Sequence, residues 1–140
     1  LSNFADYGVV VMTAAARARN LGGVERLSAG RVAEASGIPP ATVAKLMGHL
    51  GRAGLLVSQR GVDGGFGLAR PAESISLAEI VEAIDGPIGL THCSQPTAGC
   101  GLADGCSVRP HWEPVNRAVR AALSGVSLAD LAAAPAELCA

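Results

Sequence analysis

The sequence predicts a mainly α-helical chain carrying one short β-hairpin, and three observations carry that reading. Two short helical stretches, SAGRVAEAS and ATVAKLMGHLGRA, are joined by a tight turn through Gly37, Ile38, Pro39 and Pro40. Directly after them come two strand-like runs, Leu55 to Arg60 and Phe66 to Arg70, separated by Gly61-Val62-Asp63-Gly64-Gly65. Further on, a stretch from about residue 111 to 124 repeats apolar residues at helical spacing. A helix-turn-helix followed at once by a glycine-tipped hairpin is the winged helix-turn-helix layout. The late helix is long enough to pair two copies. The expected organisation is a winged, DNA-binding head over 1–72 and a rear part over 73–140. That rear part is read as a connecting helix, a cysteine-rich loop at about 87–110, a dimerisation helix at about 111–124 and a short closing helix.

Composition agrees with a packed domain. The 140 residues are 49% hydrophobic but only 3% aromatic, so Leu, Val, Ile and Ala must build the core. A disordered chain is poorer in such residues. Residues 1–70 carry eight Lys/Arg against four acids, giving +4, whereas residues 71–140 carry three against eight, giving −5. A basic front and an acidic rear suit a protein that meets phosphate with one end only. No run of 18 apolar residues is present, and no basic-then-apolar signal segment opens the chain, so neither a membrane span nor secretion is expected. The opening Leu1 in place of Met leads us to expect natural residues ahead of it.

In chain order, residues 6–20 read as a first helix, with Val9, Val10, Thr13, Ala16 and Arg17 at helical spacing and Asp6 near the start to cap free N–H groups. Ser28 opens the second helix, and the third runs from Ala41 to about Ala53 with Val43, Leu46, Met47 and Leu50 as its apolar stripe. Its outward face carries Thr42, Lys45 and His49. In such units the second helix lies in the major groove and its early residues reach base edges. Arg60 stands at the base of the hairpin tip, where a guanidinium can enter a minor groove or grip phosphate. Ser76 and Glu79 form a capping-box pattern at the head of a helix whose apolar face is Leu77, Ile80, Val81 and Ile84. Trp112, Val115, Val119 and Leu123 form the stripe of the late helix, with Pro114 placed in its first turn. That stripe either closes the monomer core or pairs with its twin.

Cys93, Cys100 and Cys106 fall within fourteen residues, in a loop of Gly, Pro, Ser and Asp too poor in apolar side chains to pack itself. Gathered thiolates in such a loop point to metal or iron–sulfur ligation. The fourth cysteine, Cys139, lies in a tail read as loose, and the compartment as a reducing cytoplasm. Zinc would accept three Cys and a His just as readily, with His111 or His92 completing a tetrahedron. A redox thiol switch is a third option.

SQRGVDGGFGLAR and LAEIVEAIDGPIGLTHC resemble the wing and the following helix of the IscR-type iron–sulfur regulators of bacteria. NFADYGVVVM and CSVRPHW look most like the subgroup regulating the SUF iron–sulfur assembly operon, and the resemblance covers nearly the whole chain. It implies a homodimeric winged-helix transcription regulator, expected to be a repressor, that binds double-stranded operator DNA. It further implies one iron–sulfur cluster per subunit, 2Fe–2S or 4Fe–4S, held by Cys93, Cys100 and Cys106, with occupancy tuning operator binding. The spacing here is C-x6-C-x5-C, its first gap one residue longer than in the best-known members. Where some members place a ligating histidine this chain has Arg109, and His111 stands two residues on. Other members draw a carboxylate from the first helix of the partner subunit, and Asp6 occupies that place. Asp6 is the favoured fourth ligand, His111 the alternative and His92 the third. Pro40, Ala41, Thr42 and Ala44 stand where relatives read bases. Ala44 offers no hydrogen bond, so operator preference should differ from members with an acid there. Ser28, Pro40, Ala41, Thr42, Lys45 and Arg60 are thus the candidate DNA contacts.

Other readings remain open at this level. The same cluster would serve a nitric-oxide or redox-responsive regulator. A zinc-stabilised winged-helix module is another, as are a plain winged helix that binds protein in place of DNA and a small iron–sulfur redox enzyme or carrier. Against the enzyme, the sequence holds no glycine-rich dinucleotide loop and no Ser/His/Asp arrangement.

Overall fold

A computed structural model of the protein describes residues 2–20, 26–59, 65–89, 105, 107 and 109–133. The first helix, α1 (Asn3–Asn20), starts three residues earlier than its apolar spacing suggests. Ser2 caps it: its hydroxyl accepts from the Ala5 N–H at 3.0 Å and its carbonyl from the Asp6 N–H at 3.1 Å. Asp6 therefore sits inside the first turn and is not the cap. The buried face is also rotated from the valine-rich stripe. It is Ala5, Val11, Met12, Ala15 and Ala16, while Val10 is exposed. Another helix crosses close by at Gly8, where a Cβ would run into the Ile84 side chain.

The helix-turn-helix forms as expected. Helix α2 (Ala29–Ser36) is capped by Ser28, whose hydroxyl accepts from the Arg31 N–H at 3.1 Å, and Gly37 closes it with an N–H donated to the Ala33 carbonyl at 2.9 Å. Helix α3 (Pro40–Arg52) begins on Pro40, where the missing N–H costs nothing. It buries Val43, Leu46, Met47 and Leu50. Strands β1 (Leu56–Gln59) and β2 (Gly65–Leu68) pair antiparallel in the register Leu56↔Leu68 to Gln59↔Gly65. The sequence reading missed one further rung. Leu27 bridges to Phe66 through two backbone hydrogen bonds of 2.8 and 2.7 Å, so the segment before α2 edges the hairpin. Gly65 makes that approach feasible: at φ 156° a Cβ would lie 2.9 Å from the Leu27 carbonyl oxygen.

The rear elements share the same core. A short 3₁₀ turn, Ala72–Ser74, leads to α4 (Leu77–Asp85), whose capping box is complete. The Ser76 N–H donates to Glu79 Oε2 at 2.9 Å, and the Glu79 N–H to Ser76 Oγ at 3.2 Å. Helix α5 (Arg109–Ser124) follows, then α6 (Leu128–Ala133). The start of α6 is stitched to the start of α4: Leu77 N–H donates to the Val126 carbonyl and Leu128 N–H to the Ile75 carbonyl, both at 2.8 Å. Ile75, Ile80 and Leu128 join Leu46, Leu50, Val11 and Met12 in one continuous cluster. Helix α5 differs from the expectation in one respect. It begins at Arg109, so Pro114 lies beyond its first turn, where the ring has no N–H to give and one rung of the ladder stays open.

Candidate nucleic-acid interface and cysteine segment

Burial of Val43, Leu46, Met47 and Leu50 fixes which side of α3 faces out. Pro40, Ala41, Ala44 and Lys45 are exposed, Thr42 is half-buried, and Ser28 is exposed beside its cap. Lys45 is not a free tether. Its Nζ lies 5.4 Å from the centre of the Phe4 ring, and the same ring meets His49 edge-on, centroids 5.7 Å apart at 86°. An ammonium over an aromatic face is held by the ring quadrupole. Phe4 thus positions an exposed cation on the outward face of α3, a contact that sequence reading missed. The signal was there in a faint form, because Phe4 and Phe66 are the chain's two phenylalanines and both are placed against this head. Arg60 and the hairpin tip at 61–64 lie outside the described residues.

Cys93, Cys100 and Cys106 also lie outside the described residues, as do His92 and Cys139. Among the described residues no three His, Cys, Asp or Glu side chains gather into a metal-binding group. Two candidate fourth ligands are described. Asp6 is exposed on α1 and His111 is exposed on α5. The helix end that leads to the cysteines is tied to α1. Ser2 donates to the Asp85 carboxylate twice, from its hydroxyl at 2.6 Å and its backbone N–H at 3.2 Å. Asp85 is the last residue of α4, from which the chain runs toward Cys93. The start of α1, with Asp6 one turn in, is therefore tied to the point where the cysteine segment departs.

Helix α5 is attached to α4 by Arg120, which donates to Glu82 at 2.7 and 3.3 Å. Its apolar stripe is left partly open within the single chain. Trp112, Val119 and Leu123 are half-buried and Val115 is 41% exposed. No described helix is long and apolar enough to cross a membrane.

With this geometry the family is settled by comparison. The family model Rrf2, described as an iron-dependent transcriptional regulator, matches residues 1–134. The chain belongs to the Rrf2 family. A relative named as an HTH-type transcriptional regulator in Azotobacter vinelandii is 33% identical over 73% of this chain and 62% of its own length. The HTH-type transcriptional regulator IscR of Klebsiella pneumoniae is 30% identical over 71% of this chain and 61% of its own. The chain thus spans about three-fifths of the length of these relatives. Among solved structures, CymR, the global cysteine regulator of B. subtilis, superposes with a TM-score of 0.73 at 26% identity, covering 94% of this chain and 95% of that one. These Rrf2 relatives are regulators and not enzymes, and the likeness extends to IscR-type members. The helical fold with its two-stranded hairpin is the winged helix of this family.

Proposed function

We propose that this Rrf2 chain is a homodimeric, operator-binding regulator whose grip on DNA is set by an iron–sulfur cluster held by Cys93, Cys100 and Cys106. The observation that carries the reading is a chain of contacts from Asp85, at the end of α4 that leads to the cysteines, to the outward face of α3. The segment leaves α4 at Asp85, Asp85 holds Ser2, and Phe4 on the same turn of α1 holds Lys45 and His49 of α3. Thr42, Lys45 and the early residues Pro40 and Ala41 read the major groove, Ser28 approaches the backbone, and Arg60 works from the wing.

The donor set fits such a group. Three thiolates on one short segment, with an exposed carboxylate at Asp6 or an exposed imidazole at His111, make a site with one non-thiolate ligand. A bound cluster supplies a redox- and iron-sensitive anchor for the thiolates. Asp6, placed on the outward side of α1, is open to a ligand from its own subunit or from the partner. Helix α5 supplies the dimer through Trp112, Val115, Val119 and Leu123, and ordering the segment between α4 and α5 changes how the two heads are held. Control of iron–sulfur assembly genes, in the manner of the SUF-type regulators, is the target we favour.

The test is anaerobic purification with iron, sulfide and zinc assayed on one sample, alongside a Cys100→Ser variant. We expect a coloured wild type holding iron and sulfide, a colourless variant, and different operator affinities for the loaded and cluster-free forms. One zinc per chain in colourless wild type, or equal operator affinity of both forms, would overturn the sensor.

A further inference from the structure

The last turn of α1, the residue before the Leu27 bridge and the outer side of the hairpin enclose an open recess of ≈ 260 Å³. Three arginines line it, Arg19, Arg26 and Arg70, against an aliphatic wall of Val57, Ala69 and Pro71. No acidic side chain lines it among the described residues. The three guanidiniums are in different states. Arg70 is pinned, donating to both Glu79 oxygens at 2.8 and 2.9 Å and to the Ser74 carbonyl at 3.1 Å. Its Nε is nonetheless buried with no acceptor. Arg19 and Arg26 have no ion-pair or hydrogen-bond partner among the described residues. Two of the three cations, Arg19 and Arg26, have no counter-charge among the described residues, and the buried Arg70 Nε has no acceptor, so an entering anion would meet unpaired donors.

We infer that this recess is a binding site for a small phosphate-bearing anion, distinct from the outward face of α3. Guanidiniums offer paired donors that match a phosphate group, and the recess is too small for more than a compact ligand. Its position favours a free anion over the operator backbone. Val57 lines the recess while its neighbour Leu56 is buried in the core beside α3. Successive strand residues point to opposite faces, so the recess opens on the side of the hairpin turned away from α3. An occupant would tie the end of α1 and the segment leading into α2 to the base of the wing. The inference is independent of any cluster.

Calorimetric titration of the purified protein with inorganic phosphate, against chloride at matched ionic strength, tests it. Wild type is expected to bind saturably, one phosphate per chain, and an Arg19→Gln, Arg26→Gln double variant to bind about tenfold more weakly or worse. Arg26→Lys, which keeps the charge and loses the fork, is expected to fall between. Far-UV circular dichroism of each variant separates lost binding from lost fold. Absence of saturable binding by wild type, or equal binding by the folded double variant, overturns the site. So does a third pattern: no phosphate binding, but weaker binding of the double variant to a random-sequence DNA duplex with a salt slope shallower by about two phosphates. That outcome would assign the arginines to the DNA backbone.

Discussion

Helices α3 and α5 carry the same kind of pattern and meet different fates. Each has four large apolar residues at helical spacing, Val43, Leu46, Met47 and Leu50 on one, Trp112, Val115, Val119 and Leu123 on the other. In α3 all four are buried, because α1, α2, α4 and β1 close around it. In α5 none is buried, because α4 is the chief element it touches. Periodicity announces that a face will be covered. It does not say by what. The α3 stripe belongs to the monomer's stability, and the α5 stripe, on the function proposed above, to its association.

The largest effect should come from breaking the sealed face. Leu50 is fully buried, so Leu50→Ala is expected to lower the unfolding free energy by about 2–5 kcal/mol in urea titration. Leu123→Ala, measured on dilute protein, should cost clearly less. Equal losses would mean that the α5 stripe is already closed within one chain, and the contrast would collapse.

The open face is tested by association. Val115→Asp with Val119→Asp places two carboxylates on the α5 stripe, and desolvating them at a dimer contact is costly. Sedimentation equilibrium should give a dimer dissociation constant raised by about tenfold or more, equivalent to about 1.4 kcal/mol, while circular dichroism of the monomer stays native. A variant that remains dimeric at wild-type strength would move the interface elsewhere, Tyr7 and Val10 on α1 being the next exposed apolar pair.

A smaller effect is expected where the two halves communicate. Lys45→Ala should weaken operator binding and flatten its salt dependence by about one phosphate. Phe4→Leu keeps an apolar side chain at the head of α1 but removes the ring under Lys45. A loss of about 0.5–1 kcal/mol, read by fluorescence anisotropy at fixed salt, is the scale of an exposed cation–π contact. Unchanged affinity would reduce Phe4 to packing.

These contrasts also mark what was legible in the sequence. The helix-turn-helix, the hairpin and the capping box at Ser76 and Glu79 are set by local chemistry, by cap side chains, by Pro40 and by glycines at turns, and they stand where the sequence places them. The buried face of α1 differs from the stripe that the spacing of Val9 and Val10 suggests. On that face α1 crosses α4 at Gly8 and Ile84, a contact between residues far apart in the chain. Distance also hid the Leu27 rung, the Ser2–Asp85 tie and the Phe4–Lys45–His49 group. The exposure of Pro40, Ala41, Ala44 and Lys45 on α3 was readable from helix phase. Arg60 and the three cysteines lie outside the described residues and rest on sequence.

The smallest expected effect joins the head to the rear part at Arg70 and Glu79. Burial opposes the charge on Glu79, but the Ser76 N–H and the Arg70 guanidinium outweigh it and hold the carboxyl below its ordinary value of 4.5. A carboxyl with a lowered folded pKa adds stability above its unfolded pKa and loses it as pH falls through the folded one. Glu79→Gln keeps a capping-box acceptor for Ser76 and removes the charge, with one of the two acceptor oxygens, that faces Arg70. The pair is more than a third exposed on each side, so screening limits its worth to about 0.5 kcal/mol or less at neutral pH. Wild type should therefore exceed Glu79→Gln slightly in denaturant midpoint at pH 7, with the gap closing below pH 4.5. A gap that persists unchanged into acid would mean that Gln fails as a cap, and that the contribution of Glu79 is the hydrogen bond to Ser76 and not its charge.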